Sequence, residues 1–445
     1  MRKKTLLSTI IDEISMGPFG SDIKVDNFIS SGIPVLNGSN LTNKKLVEDS
    51  FNFISKTKAD SLKKANAKRG DIVITHRGTL GQVSYIPINS KYERYVISQS
   101  QFRIRFNKEV NPIYLTYLFH TDYGQKKLLS FKNHVGVPAL AQATSNFKLL
   151  ELLIHDKVQQ DKIAAVLTSI DNKIELNNKI NLELEVTAKT VYDYWFVQFD
   201  FPDEYGRPYK STGGKMIFCK QLKRNIPEYW DTNGLESIGT ISGGSTPSSQ
   251  NATLFSTNGI AWITPKDLSL NIGKKYISKG ERDISEDGRK SASLTIMPPG
   301  TVLMSSRAPI GYLSIARNDV TTNQGFKSFI PKSYFTTEYI YYTIQYLLPV
   351  IKSKSSGSTF QEVSGTVLKA ISIPIAPKHL IEKFRETVGP ILKKQELLEQ
   401  ENEQIVQLRN WLLPMLMNGQ VSVGDATAQV NEAFNPVPGV TAIIN

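Results

Sequence analysis

The sequence predicts a mixed α/β (α+β) protein built as a tandem repeat, in which a globular domain is followed by a long helix and both are then repeated. Three observations support this class: short apolar strand segments occur in both halves, sequence motifs recur in the same order, and each half ends in a heptad pattern. We therefore divide the chain into a first domain (1–155), a central long helix (156–200), a linker (201–230), a second domain (231–375), a distal long helix (376–420) and a tail that we expect to be disordered (421–445).

Both globular domains show a similar succession of predicted elements. Short apolar or alternating segments predict strands, and longer periodic segments predict helices. Residues 201–214, between the domains, contain two prolines and three glycines, which is typical of a linker. The predicted elements are strands 71–75, 81–86 and 98–106 with helix 113–131 in the first domain, and strands 301–305 and 311–315 with helix 337–351 in the second.

The second half repeats short motifs of the first half in order. Arg77 and Gly81, for example, correspond to Arg307 and Gly311. Each match is weak by itself, and the ordered series is what indicates a duplication. The other matches are Gly32–Val35 with Gly259–Trp262, Ile54–Lys56 with Ile277–Lys279, Arg69–Ile74 with Pro299–Met304, and Tyr114–Leu115 with Tyr339–Ile340.

The strongest part of the repeat is a pair of heptad seams. Asn181 and Asn402 occupy the same seam position, 221 residues apart (402 − 181), and a buried Asn in such a seam commonly fixes helix register. Each helix alone could also be an ordinary amphipathic surface helix. Because polar residues interrupt both seams, neither helix should be stable alone, and we expect the two to pair with each other. In a tandem repeat with pseudo-twofold symmetry, the paired helices run as an antiparallel coiled coil. The seams are Leu167, Ile170, Ile174, Asn177, Asn181, Leu184, Ala188, Val191 and Trp195, and Val388, Ile391, Gln395, Leu398, Asn402, Ile405, Arg409 and Leu412.

Composition and charge favour a polyanionic partner. The formal net charge is +12 and the sequence pI is about 9.3, which indicates nucleic acid first and an acidic membrane surface second, although a merely basic protein is also compatible. The single cysteine, Cys219, excludes an intrachain disulfide, and no Cys/His group has zinc spacing. No signal peptide or membrane span is evident, so we expect a cytoplasmic protein. We also expect this chain to hold no metal or cofactor of its own.

The motifs of DNA-modifying enzymes are incomplete in this chain. Gly213–Met216 lacks the first glycine and the hydroxyl residue of a P-loop. A methyl-donor or dinucleotide site usually needs a Gly-rich turn that leads into a helix, but no helix signal follows Ser242–Ser245. Asn111–Tyr114 is similar to the Asn-Pro-Pro-Tyr loop of amino-methyltransferases, but Ile113 replaces the second proline, and an Asn-Pro helix start explains it better.

Residues suited to DNA binding are concentrated in the loops of both domains. Arg and Lys bind phosphates and guanine edges, and Asn and Gln bind adenine edges. Arg77 and Arg307 follow equivalent predicted strands and form the best pair. The candidates are Lys24, Asn37, Ser39, Asn40, Lys44, Lys45, His76, Arg77, Thr79, Gln99, Gln101, Lys132 and His134 in the first domain, and Thr264, Lys266, Ser305, Ser306, Arg307, Asn323, Gln324, Lys327, Lys352, Lys354 and Thr359 in the second.

These features together resemble the specificity subunits of type I restriction-modification systems, over residues 1 to about 420. The first half lacks the Pro-x-x-Trp and Gly-x-Thr-Pro motifs and has Met16–Ser21 instead, which leaves the edge of its domain open. The resemblance rests on Ile226–Trp230, Gly244–Pro247, Asn323–Phe326, Ile163–Ile174 and Trp411–Gly419.

The resemblance implies a non-catalytic DNA-recognition subunit. Two target-recognition domains would each recognise one half of an asymmetric, split DNA sequence, and the paired helices would set the gap between the halves. Helices of about 40 residues are about 60 Å long, which exceeds the roughly 34 Å of one DNA turn. The helices would also dock two methyltransferase subunits, and restriction (translocase) subunits would join. The methyl donor and ATP would be bound by these partners.

Two other functions remain compatible with the sequence. The chain could be an enzyme in its own right, such as a methyltransferase, which methyl transfer without a partner would establish. It could also be a protein scaffold whose basic charge is incidental, in which case it would not bind DNA at low salt.

Overall fold

The computed structural model describes residues 2–133, 137–307, 309–356 and 361–434, and the chain divides into two units. Unit 1 consists of Met1–Ile174 and Gln404–Asn445, and unit 2 consists of Glu175–Glu403. Each unit contains strands and helices in similar numbers, and both contain parts of the two long helices. The predicted α+β class with two long helices is therefore confirmed.

Unit 1 begins with a domain of short strands and helices. Its strands are β1 (Lys3–Leu6), β2 (Ile11–Met16), β3 (Phe28–Ile29), β4 (Ile33–Val35), β5 (Asn52–Ile54), β6 (Asn66–Lys68), β7 (Ile72–Thr75), β8 (Val83–Tyr85), β9 (Arg94–Val96), β10 (Gln101–Phe106), β11 (Lys132–Asn133), β12 (Ala139–Leu140) and β13 (Glu151–Ile154). Its helices are α1 (Lys56–Ser61), α2 (Pro112–Phe119), α3 (Asp122–Leu128) and α4 (Ala143–Lys148), followed by the long helix α5 (Lys157–Tyr192), which continues into unit 2 as a π-helical turn at Asp193–Val197.

Two sheets organise unit 1, and β7 lies between two apolar cores. The antiparallel sheet has the order β2-β10-β7-β8, and the mixed sheet has the order β3-β5-β4-β9-β6. Ile72 and Ile74 pack with Tyr114 of α2 in one core, whereas Val73 points into the other. A strand buried on both faces needs apolar residues at every position, which explains the unbroken apolar segment in the sequence.

Unit 2 repeats this architecture. Its strands are β14 (Met216–Cys219), β15 (Arg224–Pro227), β16 (Asp231–Gly234), β17 (Gly239–Gly243), β18 (Phe255–Ser256), β19 (Ile260–Ile263), β20 (Tyr276–Ile277), β21 (Arg282–Ile284), β22 (Val302–Met304), β23 (Leu313–Ala316), β24 (Val320–Thr322), β25 (Lys327–Pro331) and β26 (Ser372–Ile375). Its helices are α6 (Pro265–Leu270), α7 (Glu286–Ser291), α8 (Thr337–Ser353) and α9 (Gly365–Lys369), followed by the long helix α10 (Lys378–Asn418). The short helix α11 (Val423–Phe434) belongs to unit 1.

The strand order establishes the duplication more firmly than the sequence matches do. The order β2-β10-β7-β8 of unit 1 returns as β17-β25-β22-β23 in unit 2, with β20 added at one edge. Val302 and Met304 of β22 enter one core and Leu303 enters another, as the residues of β7 do. The two globular domains therefore share one fold.

The residues of the heptad seams of α5 and α10 are buried or partly buried, and the two helices pair antiparallel within each unit. In unit 1, Ile170 and Leu412 are fully buried in one core. In unit 2, the Asn177 side-chain amide donates to Asn402 Oδ1 at 2.9 Å, and the ring of Tyr192 lies 6.1 Å from that of Phe384. Residue numbers thus rise along α5 as they fall along α10. Among the described residues, no helix is long and apolar enough to cross a membrane.

Asn181 and Asn402, which occupy the same position in the two seams, have different partners. Asn402 donates to Asn178 Oδ1 at 2.8 Å, in addition to its bond with Asn177. Asn181 accepts a hydrogen bond from Gln395 at its backbone carbonyl, at 3.1 Å. Polar groups buried at a helix interface constrain its register, because a shift would leave them without partners.

The predicted linker at 201–230 is wrong, because this segment is folded. Phe201 and Trp230 are buried and their rings stack at 5.5 Å, and β14 and β15 form a hairpin. The prolines and glycines of this segment favour a linker, but its aromatic residues favour a packed structure. Burial of two large rings outweighs local turn composition.

Two helical predictions also need correction. The predicted helix 113–131 is two helices, because Thr121 caps α3 by accepting from the Gly124 N–H at 3.1 Å. The predicted disordered tail is helical over Val423–Phe434. Ala426 and Val430, one helical turn apart, are buried in the core of unit 1, and Ser422 caps the helix at Asp425.

Candidate nucleic-acid interface

One end of the four-stranded sheet of unit 1 brings three loops together. The Gly17 N–H donates to Gln101 O at 2.8 Å, the His76 N–H to Ser100 O at 2.8 Å, and the Leu140 N–H to His76 O at 2.8 Å. These bonds hold the loops after β2 and β7 against the loop before β10 and against β12. Arg77 and Gln99 stand exposed on this surface.

Unit 2 forms the same junction with the corresponding residues. The Ser306 N–H donates to Gly325 O at 2.7 Å, and the Val363 N–H donates to Ser306 O at 3.1 Å. Arg307 and Gln324 therefore occupy the places of Arg77 and Gln99. The arginine pair was predicted from the sequence, whereas the equivalence of the two glutamines emerges only from the hydrogen-bond pattern.

A glycine at the end of the first strand is required in both junctions. A Cβ atom on Gly17 would lie 1.9 Å from Ser98 O, and one on Gly244 would lie 2.1 Å from Thr322 O. Such distances exclude any side chain, so the loop can close only with glycine. Gly17 thus takes the place of Gly244, although the Thr-Pro that follows Gly244 has no counterpart after Gly17.

The two junctions differ in the charge next to the arginine. Arg77 pairs through its backbone with Ala139, and Arg307 pairs in the same way with Glu362. The Glu362 carboxylate lies 3.8 Å from Arg307 Nη1 and 3.7 Å from Lys327 Nζ. Within the part of the chain that the structure describes, the Arg77 guanidinium makes no hydrogen bond or ion pair. Glu362 was not predicted from the sequence, because a carboxylate does not match the cationic and amide residue types that bind DNA.

Several candidates are buried and hold the fold rather than face solvent. Asn40 donates to Val47 O at 3.0 Å, Gln101 accepts from the Ser98 N–H at 3.0 Å, and Ser305 donates to Pro309 O at 2.7 Å. Ser306 is also fully buried. All four side chains are buried, so the prediction that they contact DNA is wrong for an interface of this conformation.

Other candidates cap helices or turns, or are exposed at the surface. Asn37 accepts from the Ser39 N–H, Thr264 accepts from the Asp267 N–H, and Asn323 accepts from the Gly325 N–H. His76 is half-buried, with Nε2 3.0 Å from Gln99 O, and burial lowers its pKa. His134 and Thr359 lie outside the described residues. The exposed candidates are Lys24, Asn37, Ser39, Arg77, Thr79, Gln99, Lys132, Lys266, Gln324, Lys352 and Lys354.

The family comparison agrees with this duplicated arrangement. The profile described as "Type I restriction modification DNA specificity domain" matches residues 21–186 and again residues 227–407. Together the two matches cover well over half of the chain. The chain belongs to this family of type I specificity proteins. Each unit thus carries one target-recognition domain of the family, and each match extends into one long helix.

Individual relatives have the same description. The specificity subunit of the type I restriction enzyme MjaIX of Methanocaldococcus jannaschii is 41% identical over 197 residues, 42% of this chain and 45% of that protein. The HindI specificity subunit of Haemophilus influenzae is 24% identical over 80% of this chain and 87% of its own length. The crystal structure of a type I S subunit from M. genitalium has a TM-score of 0.58 at 15% identity, covering 94% of this chain and 96% of that one, so the two share a fold.

Lys44, a predicted DNA-binding residue, instead joins the first recognition domain to the long helices. Its Nζ lies 3.9 Å from Asp171 of α5 and 5.5 Å from the centre of the Tyr117 ring. Burial lowers the pKa of Lys44, against the raising effect of Asp171. Arg409 of α10 binds the same carboxylate at 2.7 Å. The prediction failed because these partners are distant in sequence.

In the second recognition domain, Lys275 occupies the place of Lys44, since the Ile315 N–H donates to Lys275 O as the Tyr85 N–H donates to Lys44 O. Lys275 Nζ lies 2.5 Å from Glu185 of α5 and donates to Tyr342 OH at 2.7 Å. Burial lowers the pKa of Lys275, while Glu185 opposes that shift. We call this group, with its neighbours on α10, the Lys275 cluster: Glu185, Lys275, Arg317, Tyr342, Gln395 and Glu399.

Within the Lys275 cluster, Glu399 of α10 binds the backbone at the start of β20. Its carboxylate accepts the backbone N–H of Lys275 at 2.7 Å and that of Tyr276 at 3.1 Å. Arg317 donates to it at 3.1 Å, and both side chains are almost fully buried, at 6% and 4% exposure. A single helical carboxylate therefore fixes strand β20 of the recognition domain on α10.

Proposed function

We propose that this chain is the non-catalytic DNA-recognition subunit of a type I restriction-modification complex and that each recognition domain binds one half of an asymmetric, two-part DNA sequence. One observation carries the proposal: the two domains present an arginine and a glutamine at equivalent places with different neighbours. Arginine pairs with guanine and glutamine with adenine in the major groove. The same scaffold with different neighbours, Ala139 and Glu362, would recognise different half-sites.

We further propose that the long helices bind two methyltransferase subunits. Apolar side chains point to solvent along the part of α5 in unit 2, where Leu176, Leu182 and Val186 are 53%, 64% and 56% exposed. Such a group on a helix that already buries its seam is suited to a protein partner. The methyl donor and ATP would belong to the methyltransferase and restriction subunits, and the assembled complex would act in the cytoplasm.

The exchange of one recognition domain tests the proposed function. Replacing residues 231–375 by the corresponding segment of a family member with another specificity should change one half-site and leave the other unchanged. The measurement is a genome-wide map of methylated bases in cells that express the chain with its methyltransferase partner. A change in both halves would contradict independent recognition, and methyl transfer by the purified chain alone would contradict the non-catalytic role.

Alanine at either interface arginine should weaken recognition of one half-site only. We expect Arg77→Ala and Arg307→Ala each to cost about 1–3 kcal/mol of binding free energy and to relax base preference at one position. Titration of duplexes carrying single base-pair changes would measure this. Arg289→Ala is a matched control, because Arg289 is held by Glu286 at 2.5 Å on α7. A uniform loss on every duplex would mean that these arginines bind phosphates only.

A further inference from the structure

The carboxylate of Glu362 lies within the interface of unit 2, where a negative charge is unexpected. Its backbone is fixed on two sides, since it pairs with Arg307 and with Ser356 as an isolated bridge. Its side chain is 40% exposed, so it is available to a ligand that binds this surface. The equivalent position in unit 1 is Ala139, and the carboxylate is therefore not needed to form the junction itself.

The contacts of Glu362 leave its hydrogen-bonding capacity unused. The distances of 3.8 Å to Arg307 and 3.7 Å to Lys327 are those of ion pairs and exceed hydrogen-bond length. Among the described residues, no donor is hydrogen-bonded to this carboxylate. Arg307 also keeps donors available, because a guanidinium has five N–H groups and one cationic nitrogen faces Glu362.

A carboxylate next to DNA is unfavourable unless a donor on the DNA compensates for it. Phosphates repel it, and the donors that a duplex offers in the major groove are the exocyclic amino groups of cytosine and adenine. Arginine prefers the two acceptors of guanine, whose paired base is cytosine. An arginine and a carboxylate that lie side by side, as Arg307 and Glu362 do at 3.8 Å, thus match both bases of one G·C pair.

We propose that Glu362 is a specificity-determining residue, which selects a G·C pair at one position of the half-site bound by unit 2. Arg307 donates to O6 and N7 of the guanine, and Glu362 accepts from the N4 amino group of the paired cytosine. Lys327 offsets the charge of the carboxylate. Arg77 of unit 1 contacts guanine, but Ala139 beside it offers no carboxylate to accept from the paired cytosine. This inference rests on the proposed DNA-recognition function.

The test is selection of bound duplexes from a library of double-stranded DNA with randomised bases, using the full chain with its methyltransferase partner. For Glu362→Ala, we expect the G·C preference at one position of one half-site to fall by roughly 5- to 100-fold, with the other half-site unchanged. For Ala139→Glu, we expect a stronger G·C preference at one position of the other half-site. Glu286→Ala removes an exposed, ion-paired carboxylate of the same unit and should leave both half-sites unchanged.

The outcomes separate this inference from the proposed function. If the wild-type chain selects a two-part sequence and Glu362→Ala selects the same sequence, Glu362 has no role in specificity, whether or not the affinity changes. If the wild-type chain selects no sequence, the proposed function itself fails. Thermal denaturation of Glu362→Ala should match the wild type, since the residue is half-exposed and makes no hydrogen bond through its side chain to a described residue.

Discussion

Replacement of Glu399 by alanine is expected to destabilise unit 2 by about 3–5 kcal/mol, the range for removing one partner of a buried ion pair. The loss leaves Arg317 without its most buried partner and two backbone N–H groups, of Lys275 and Tyr276, without acceptors. Each unpaired buried donor costs free energy, because no water replaces the lost acceptor. Glu399→Gln should cost less, since an amide oxygen can still accept one of the backbone hydrogen bonds.

Denaturant unfolding followed by tryptophan fluorescence would measure this loss. Trp195, Trp230 and Trp262 belong to unit 2 and only Trp411 to unit 1, so the signal reports mainly on unit 2. Glu403→Ala is the matched control: Glu403 also binds Arg317, at 2.9 Å, but is 38% exposed, so we expect a loss of about 1 kcal/mol or less. Equal losses for both variants would show that Glu399 is not the main attachment of β20 to α10.

DNA affinity is expected to fall by about 10³- to 10⁵-fold between roughly 50 and 200 mM salt, as for proteins that make 6–10 phosphate contacts. The reason is the release of counterions as lysines and arginines bind phosphates, which the net charge of +12 makes favourable. Fluorescence anisotropy with a labelled duplex at several salt concentrations would give the slope of log K against log salt.

Single lysines should contribute to that slope according to their position. Lys132→Ala and Lys352→Ala remove exposed charges near the two interfaces, and each should reduce the slope by about 0.9. Lys394→Ala removes an exposed charge from α10 and should leave the slope unchanged. An equal effect of all three would indicate that the chain attracts DNA through its overall charge and not through these two positions.

The fold was predictable where local pattern and burial agree. β7 and β22 are buried on both faces, so their apolar segments are unmistakable in the sequence, and the heptad seams follow from spacing alone. The site was less predictable. Arg77 and Arg307 were found because each follows such a strand, but Lys44 was assigned to DNA although Asp171 and Tyr117 hold it inside the protein.

Failures of prediction arose where distant residues decide the structure. The segment at 201–230 folds because the rings of Phe201 and Trp230 stack, and no local sequence pattern predicts that contact. Glu362 was not considered because a carboxylate is a poor DNA ligand by type, and its importance depends on lying beside Arg307. The equivalence of Gln99 and Gln324 likewise becomes visible only from the backbone hydrogen bonds of the two junctions.

Unit 1 is made of two segments that unit 2 separates in the sequence. This arrangement has a consequence for biosynthesis. Ile163 and Ile170 share a core with Leu412, Leu416 and Val430, which the ribosome adds only after all of unit 2 has been made. Unit 2 is continuous in sequence (Glu175–Glu403) and can fold while the end of α10 and α11 are still being synthesised. The recognition domain of unit 1 is therefore translated before unit 2 but completed after it, and a chain truncated before α11 would expose an apolar surface that chaperones and proteases recognise.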